Sequence, residues 1–395
     1  MENFSFSVPT QLFFGRDVVK QHLVTALHHP KKVLLAYGGG SIRRNGLYDE
    51  VTALLEAAHI DYISFGGIEP NPRVETVEEA IAIARHECVD FVLAVGGGSV
   101  IDAAKLIAAG IYHEGHAWDI VLGKAVIQTA VPLGTILTLA ATGSETNSGS
   151  VITNLATSEK KGWGSPLVLP KFALLDPQNT FTVPHNHTLY GIIDIMSHLF
   201  EQYFRQNPLT VQNPYQEALI ETTLRQVIAT APDLLANLND YHARETMMIC
   251  GTYALNGVLR IGSNGDWASH QIEHALSAVY DIPHGAGLAI VFPHWMHYVL
   301  TKDPETTAPL LAKMATQVFA IQPLADDIAT AHAGITALSD FWRQLGAPTK
   351  LRDLQLTSTD ILTDLTTKTL LGQPSVGHFL PLTAADLHQI FASLE

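Results

Sequence analysis

Three histidines and a glutamate lie within the sixteen residues HQIEHALSAVYDIPHG, residues 270 to 285, at a spacing that suits metal binding. The first five residues match the pattern H-x-x-E-H, in which two histidines bind zinc and the glutamate serves as the base of a peptidase. In this interpretation His270 and His274 are ligands, Glu273 is the general base, and a carboxylate further along the chain completes the site. The third histidine, His284, opens a different interpretation.

A second pair of possible ligands, Asp194 and His198, stands four residues apart in a helical pattern. Side chains at this spacing lie on one face of a helix, so both can reach the same ion, although such pairs are often simple surface contacts. Pro283 ends the helix of the first stretch, and the chain after it can return His284 towards His270. One carboxylate with several imidazoles, without thiolates, suits Fe(II) or Zn(II) acting as a Lewis acid.

Two triple-glycine loops follow apolar runs in the first half of the chain, namely Gly38-Gly39-Gly40-Ser41 and Gly96-Gly97-Gly98-Ser99. Glycine lets backbone N–H groups approach a phosphate closely, and the N-terminus of the following helix adds its dipole. Neither loop matches the standard dinucleotide or P-loop fingerprint, and one alone could be only a tight turn. Two loops at the carboxyl ends of strands in one sheet favour a nucleotide site.

The first loop also indicates which nicotinamide cofactor the site would take. An NAD site usually has a carboxylate after this strand, which binds the ribose 2′-hydroxyl and repels a 2′-phosphate. Here the residues are small, and they are followed by Arg43 and Arg44, whose guanidinium groups suit phosphate. The loop therefore favours NADP(H), although the two arginines could also be a solvated pair at a helix start.

Asp102 and Lys105 lie one helical turn apart behind the second loop. They are either a surface ion pair, or Asp102 faces the cofactor. A peptidase has no use for two phosphate loops, whereas hydride transfer to a nicotinamide is helped by a metal that polarises the alcohol oxygen. The loops and the histidines together therefore favour an oxidoreductase over a peptidase.

The elements that must position these residues divide the 395-residue chain in two. Up to about residue 180, short apolar runs alternate with amphipathic segments, which predicts βαβ units and a parallel sheet. Long helical segments follow, and strand signals nearly vanish. Because a chain of this length is expected to form two domains, we predict an α/β nucleotide-binding domain over 1–180 and an all-helical metal-binding domain over 181–395.

Individual elements follow from the same patterns. Strands are predicted at 32–37, 61–65, 91–95, 130–136 and 172–177. Helices are predicted at 47–58, 74–87, 99–110, 188–206, 214–237, 241–260 and 265–280. The polar segment 138–149 between two of these strands is predicted to be a loop.

Composition excludes several classes of function. The formal net charge of −15 would repel nucleic acid and anionic membranes. Apolar residues make up 47% of the chain and charged residues 15%, which is typical of a globular enzyme. The sequence shows no pattern of a signal peptide, and its two cysteines, Cys88 and Cys250, fit a reducing compartment. We expect a soluble cytoplasmic protein.

Taken together, these residues resemble the iron-containing alcohol dehydrogenase family, and most closely its NADPH-dependent butanol dehydrogenase and aldehyde reductase branch. The matching pieces keep the family's order over most of the chain, although little is recognisable after about residue 350. They are FFG (13–15), YGGGS (37–41), FGGIEPNP (65–72), AVGGGSVID (94–102), LTLAATGSETN (137–147), DIMSHLFEQY (194–203), GDWASH (265–270) and PHG (283–285).

The resemblance implies a dehydroquinate-synthase-like fold and a set of site residues. The metal ligands would be Asp194, His198, His270 and His284, and His274 would lie near the metal as a proton relay. The cofactor's phosphates and ribose would contact Gly97, Gly98, Ser99 and Asp102. Further residues would line the cofactor site, namely Asn71, Thr138, Thr142 and Lys160.

Three departures from the family pattern are modest. Gly39 stands where relatives that prefer NAD carry an aspartate, which agrees with the preference for NADP(H). Ile195 replaces a frequent alanine after the ligand aspartate, and Arg43 and Arg44 replace frequent lysines. Ile195 would reshape the pocket without removing a ligand, and Arg43 and Arg44 preserve the charge.

The sequence therefore predicts a metal-dependent alcohol dehydrogenase or aldehyde reductase that transfers hydride between NADP(H) and a small alcohol or aldehyde such as butanol or butanal. The metal would be one Fe²⁺ or Zn²⁺ ion. Three alternatives stay open: a dehydroquinate-synthase-like lyase, which would need a more basic pocket; the H-x-x-E-H peptidase; and a binding module without catalysis. By resemblance the protein would be a homodimer.

Overall fold

The computed structural model describes residues 3–206, 213–263, 265–356 and 362–395. The described chain packs into two compact units. The α/β unit comprises Ser7–Thr188 and Ala236–Asn256, and the helical unit comprises Met1–Phe6, Leu189–Leu235 and Gly257–Glu395.

The strands lie in the α/β unit. They are β1 (Gln11–Phe14), β2 (Lys32–Tyr37), β3 (Asp61–Phe65), β4 (Phe91–Gly96), β5 (Leu133–Leu137), β6 (Gly149–Asn154), β7 (Glu159–Gly164) and β8 (Phe172–Leu175). Six of them form one sheet in the order β1-β8-β5-β4-β2-β3, and every neighbouring pair is parallel. The remaining two, β6 and β7, form an antiparallel hairpin.

The helices of the α/β unit alternate with its strands, and one comes from much later in the chain. In chain order the helices are α1 (Val18–Leu27), α2 (Ser41–Arg44), α3 (Leu47–Ala57), α4 (Val74–His86), α5 (Gly98–Gly110), α6 (Ala117–Val121), α7 (His185–Tyr203), α8 (Pro214–Ala236), α9 (Tyr241–Leu255), α10 (Ala268–Tyr280), α11 (His284–Lys302), α12 (Pro304–Val318), α13 (Asp327–Gln344), α14 (Leu362–Leu370) and α15 (Ala384–Ser393). Of those after α6, α9 belongs to the α/β unit.

The parallel sheet is buried on both faces. Leu34 and Val92 pack into one apolar cluster, whereas their chain neighbours Val33 and Leu93 pack into another. Successive side chains of a strand point to opposite faces, so both faces must be covered. This double burial explains why the strands read as continuous apolar runs instead of alternating ones.

The predicted architecture, a parallel α/β part followed by a helical part, is confirmed. Predicted strands 32–37 and 61–65 coincide with β2 and β3, and the loop over 138–149 holds only a short 3₁₀ turn before β6. The hairpin of β6 and β7 was not predicted. The boundary at residue 180 stays a prediction, and the structure adds that α9 packs with the α/β unit.

Two predicted helix ends are displaced for a local reason. The helix predicted over 241–260 ends at Leu255, because Gly257 takes a left-handed backbone conformation with φ of 93°. The helix predicted from 265 begins at Ala268, after Trp267 with φ of 69°. None of the helices in the described ranges is both long and apolar enough to cross a membrane.

Candidate metal centre and cofactor loops

One face of α7 presents three buried polar side chains to the interior of the helical unit. Asp194, His198 and Glu201 stand at positions i, i+4 and i+7, which is the spacing of a single helix face. Each is at most 4% exposed. Burying such groups is costly unless they find partners or a metal, so this face marks a site.

The other two predicted ligands come from the start of α10 and the start of α11. His270 lies in the first turn of α10, and His284 is the first residue of α11, after Pro283. The next residue must be glycine, because a Cβ on Gly285 would come within 2.2 Å of the carbonyl oxygen of Tyr190 in α7. This close approach of the two helix backbones brings His284 to Asp194.

The three imidazoles converge on one carboxylate oxygen. The Nε2 atoms of His198, His270 and His284 lie 3.5, 3.7 and 3.6 Å from Oδ1 of Asp194. These separations are longer than hydrogen bonds. They match the edge of roughly 3.4 Å between ligand atoms that sit about 2.1 Å from a shared tetrahedral ion.

Two atoms at the centre of this cluster support the same interpretation. Oδ1 of Asp194 and Nε2 of His270 are buried and have no hydrogen-bond partner among the described residues. The ligand atoms of Asp194, His270 and His284 lie within 4.8 Å of one another. A donor set of one carboxylate and imidazoles fits a divalent transition metal.

The charges in this cluster depend on one another. Burial alone would raise the pKa of Asp194, but the imidazoles, His198 foremost, outweigh it and hold that pKa below its ordinary range. Burial lowers the pKa of His198 to about 4. Burial would also lower the pKa of His270, but Glu201 and Asp194 outweigh it and raise the value to about 10.

His274, the predicted proton relay, lies beside this cluster. Its ring centroid is 5.5 Å from that of His284 and 6.2 Å from that of His270. It is only partly buried, unlike His270. Trp267 packs on the other histidines, with ring centroids 5.7 Å from His270 and 6.3 Å from His198. An imidazole with partial access to solvent is suited to moving protons.

In the α/β unit, the second glycine loop packs tightly against the segment after β5. A Cβ on Gly98 would come within 2.4 Å of Cγ2 of Thr142, and one on Gly97 within 3.2 Å of Cβ of Leu139. The backbone N–H of Thr138 donates to the carbonyl of Gly96 at 3.0 Å. The structure thus brings together the predicted cofactor residues Gly97, Gly98, Thr138 and Thr142, with Ser99 in the first turn of α5.

Asn71 and Lys160, two further predicted cofactor residues, are in contact. Nζ of Lys160 on β7 donates to Oδ1 of Asn71 at 2.9 Å, and both residues are buried. Asn71 has a left-handed backbone with φ of 52°. The segment is held because the N–H of Thr153 donates to the carbonyl of Pro72 at 2.8 Å. The hairpin missed by the sequence analysis is therefore what places Lys160.

Asp102 and Lys105 are not a surface ion pair, because both are buried. They are joined through Ser144, whose Oγ accepts from Nζ of Lys105 at 2.7 Å and donates to Oδ1 of Asp102 at 2.6 Å. The other oxygen of Asp102 accepts from the N–H of Val151 at 2.8 Å. Burial lowers the pKa of Lys105 to about 8. Through its hydrogen bond with Ser144, Asp102 fastens the loop that carries Thr142 to α5.

The first glycine loop is open to solvent. A Cβ on Gly39 would meet no atom within 4 Å, and Ser41 is exposed. Gly40 has a left-handed backbone with φ of 90°, beside Gly38. Arg43 is held in place, since its guanidinium donates to Oη of Tyr37 at 2.6 Å and lies 3.7 Å over the ring of Tyr48.

Two family models match this chain. Residues 9–177 match the family model described as iron-containing alcohol dehydrogenase. Residues 188–394 match the model of the C-terminal part of the same family. The chain belongs to the iron-containing alcohol dehydrogenase family. The predicted family and the predicted class of reaction, alcohol dehydrogenation or aldehyde reduction, are confirmed.

Individual members of the family match between 91% and 100% of the chain. The probable NADH-dependent butanol dehydrogenase 1 of Bacillus subtilis is 50% identical over 391 residues, or 99% of each chain. The NADPH-dependent aldehyde reductase YqhD of Escherichia coli is 37% identical over 91% of each chain. The crystal structure of NADH-dependent butanol dehydrogenase A from Thermotoga maritima superposes with a TM-score of 0.93 at 37% identity, covering 100% and 99% of the two chains.

Two buried glutamates lie beside the candidate metal ligands, and the sequence analysis placed neither of them there. Glu201 lies beside His270, and its signal was the i+7 spacing from Asp194. Glu273 appeared only as the peptidase base, yet its carboxylate is fully buried and contacts Nδ1 of His284 and Oγ of Ser277. A peptidase base must be within reach of the attacking water, so this placement disfavours the peptidase hypothesis.

Proposed function

We propose that this alcohol dehydrogenase uses NADP(H) and one divalent metal to interconvert small primary alcohols and aldehydes such as butanol and butanal. The observation that carries the proposal is the convergence of three imidazole Nε2 atoms on Oδ1 of Asp194. The relatives named as butanol dehydrogenases and as an aldehyde reductase support the substrate class.

The proposed metal ligands are Asp194, His198, His270 and His284. Fe²⁺ and Zn²⁺ both suit this donor set. The family name supports iron, and the geometry leaves zinc as the alternative. When bound, such an ion supplies a Lewis acid for the substrate oxygen, and the nicotinamide supplies or accepts the hydride.

The proposed cofactor site lies in the α/β unit. The backbone N–H groups of Gly97, Gly98 and Ser99 at the start of α5 would bind the pyrophosphate, assisted by the helix dipole. Asp102 would serve the site by holding the loop of Thr142. The remaining lining residues are Asn71, Thr138, Thr142 and Lys160.

The preference for NADP(H) is proposed from the first loop, Gly38, Gly39, Gly40 and Ser41. This loop has no carboxylate that would repel a 2′-phosphate, and Arg43 lies two residues further along. The relatives named above include both NADH-dependent and NADPH-dependent enzymes. This part of the proposal therefore rests on the absence of a carboxylate from the loop and on the nearby Arg43. Gly39 is the central position of the loop.

His274 is the proposed catalytic residue of the chain. In alcohol oxidation it would accept the hydroxyl proton and pass it to solvent, and in aldehyde reduction it would return a proton to the product oxygen. Its partial burial beside His270 and His284 suits this role. Trp267, packed on the ligand histidines, would give the alkyl chain of a small alcohol an apolar surface.

We further propose a cytoplasmic homodimer without nucleic acid or membrane partners. The net charge of −15 and the presence of only two cysteines support this part.

The lyase alternative is distinguished by the fate of the nucleotide. A lyase of this kind returns the nucleotide unchanged, whereas a dehydrogenase consumes one NADPH with each aldehyde.

The test is the loss of NADPH absorbance with butanal, run beside NADH, before and after a chelator and after restoring Fe²⁺ or Zn²⁺. We expect turnover that prefers NADPH and returns only with metal. Equal rates with NADH would overturn the cofactor proposal alone. Binding of NADPH without turnover on any aldehyde, with either metal, would overturn the proposed reaction.

A further inference from the structure

Each of two predicted ligand histidines has a buried carboxylate behind it. Nδ1 of His270 lies 2.7 Å from Oε2 of Glu201, and Nδ1 of His284 is hydrogen-bonded to Oε2 of Glu273. Both glutamates are 0% exposed. In each pair the opposite ring nitrogen, Nε2, points to Oδ1 of Asp194. In both histidines, one ring nitrogen thus contacts a buried glutamate and the other lies near Oδ1 of Asp194.

A carboxylate behind an imidazole determines what the ring can do. It holds the proton on Nδ1, so that the lone pair of Nε2 is free to bind a metal, and it fixes the orientation of the ring. Two carboxyl groups buried in this way would be costly if they served only packing.

We infer that Glu201 and Glu273 are positioning residues, which hold His270 and His284 ready for the metal, and that the glutamate of HQIEH is a support for a ligand rather than a catalytic base. The inference rests on the proposed metal site. It goes beyond the ligand set, because each glutamate contacts the Nδ1 atom of a histidine whose Nε2 atom lies near Asp194.

Glu273 has room for its carboxylate only because residue 287 is glycine. A Cβ on Gly287 would come within 2.7 Å of both Cγ and Oε1 of Glu273. Oε1 also accepts from Oγ of Ser277, one helical turn along α10. The sequence PHGAG thus contains two glycines that allow different close contacts. Gly285 lets α7 pack closely against α11, and Gly287 leaves room for the carboxylate of Glu273 behind His284.

Glu201 has a second task that Glu273 lacks. Its Oε1 accepts from Oγ of Ser269 and from the backbone N–H of His270 at 3.1 Å, and its carbonyl accepts from the N–H of Asp266 at 2.8 Å. Glu201 therefore also fastens the start of α10 to α7. Changing it would disturb folding as well as the histidine, so Glu273 offers the cleaner experiment.

The experiment measures metal binding by the full chain without relying on turnover. Metal-free protein is titrated with Co²⁺, and the visible absorption bands of the ion report its affinity and its coordination. Two variants displace the same carboxylate in different ways. Glu273→Gln removes the charge and keeps the shape, and Gly287→Ala leaves every polar group in place but pushes Glu273 aside.

Two matched controls test for a merely structural effect. Glu221→Gln changes another buried glutamate of the helical unit, which accepts from Oη of Tyr203 at 2.7 Å. Gly334→Ala crowds another buried glycine, where the new Cβ would lie 2.5 Å from Cβ of Ala315. Thermal unfolding of the metal-free proteins shows whether each variant folds.

We expect Glu273→Gln and Gly287→Ala to bind Co²⁺ about 10- to 100-fold more weakly than the wild type, with altered absorption bands, while both controls bind as the wild type does. Affinity within about twofold of the wild type and unchanged bands in a folded Glu273→Gln or Gly287→Ala protein would overturn the inference. If the wild type itself binds no Co²⁺, the metal site and this inference fall together. Weakened binding without aldehyde reduction by the wild type would leave the inference standing and remove the proposed reaction.

Discussion

Asp194 and its three histidines meet through polar side chains, whereas Gly97 and Gly98 meet Leu139 and Thr142 because they carry no side chain at all. The proposed metal centre is assembled from polar groups whose ligand atoms converge on Oδ1 of Asp194. In the second glycine loop, the backbone of Gly97 and Gly98 lies so close to the side chains of Leu139 and Thr142 that an added Cβ would be crowded.

This difference decides how each site fails. The metal centre is sensitive to the removal of a group, since the others then lack a partner in a buried environment. The glycine loop is sensitive to the addition of a group, since nothing around it can move far without disturbing the sheet. Substitutions that remove a polar group should therefore affect the proposed metal centre, and substitutions that add a methyl group should affect the glycine loop.

The largest expected effect comes from Asp194→Ala. Without the carboxylate on which three imidazoles converge, we expect loss of bound metal and a fall in kcat of about 10³-fold or more, since a metal contributes several kcal/mol to such a reaction. Metal analysis and aldehyde reduction check it. The control is Asp386→Asn, a buried carboxylate at the start of α15. Retention of stoichiometric metal by Asp194→Ala would contradict the ligand set.

The next effect concerns Lys105, whose pKa burial lowers to about 8 from the ordinary 10.5. Because the folded state then binds fewer protons than the unfolded state, this group adds stability as the pH rises from about 8 to 10.5, by about 3 kcal/mol in total. The contribution is lost again as the pH falls through 8. We expect the Tm of the wild type to rise relative to the Tm of Lys105→Met over this range.

Thermal melts at a series of pH values measure this difference. Lys171→Met, at an exposed position of the same unit, serves as the control and should follow the wild type throughout. A gap in Tm for Lys105→Met that stays constant from pH 7.5 to 10.5 would show that the lysine keeps its proton in the folded protein.

A smaller effect is expected from Gly39→Asp. The position is open, so the fold should not change. The new carboxylate would repel a 2′-phosphate, and we expect the ratio of kcat/KM for NADPH to that for NADH to fall about 10- to 100-fold. Gly39→Asn is the uncharged control of the same shape. An unchanged ratio would place the 2′-phosphate elsewhere.

The smallest effect is expected from Gly98→Ala, which adds one methyl group where Thr142 lies within 2.4 Å. Overpacking of this kind costs about 1–3 kcal/mol. We expect KM for NADPH to rise about tenfold while metal content stays at the wild-type level. Gly162→Ala, where the new Cβ would meet no atom closer than 3.9 Å, should leave both values unchanged. Loss of metal in Gly98→Ala would break the proposed separation of the two sites.

Much of the proposed metal centre follows from the residue types in the sequence. Asp194 and His198 follow from helical spacing, and His284 follows from its place after Pro283. The H-x-x-E-H motif suggests that Glu273 is a general base, but the burial of its carboxylate does not support that role. Its true surroundings depend on Gly287, which lies fourteen residues away and carries no chemical signal of its own.

The cofactor loops were predictable in position and less so in support. Glycines after apolar runs indicate the loops, but Lys105 looks like a surface residue one turn from an aspartate. Its burial follows from packing against Ser144 and Asn147, which no local pattern reports. The hairpin that places Lys160 was missed because Lys161 and Gly162 interrupt the alternation expected of a strand.

The position of α9 has a consequence for the order in which the protein can be made. Met248 of this helix lies in the core beside the sheet, and Oγ1 of Thr252 donates to the buried Glu145 at 2.6 Å. The α/β unit thus takes a piece of its interior from residues 236–256. On the ribosome, where chains emerge from the N-terminus, this unit cannot complete its core until α7 and α8 have already been synthesised. A ribosome that stalls after β8 would leave Glu145 without its hydroxyl partner and the core without Met248.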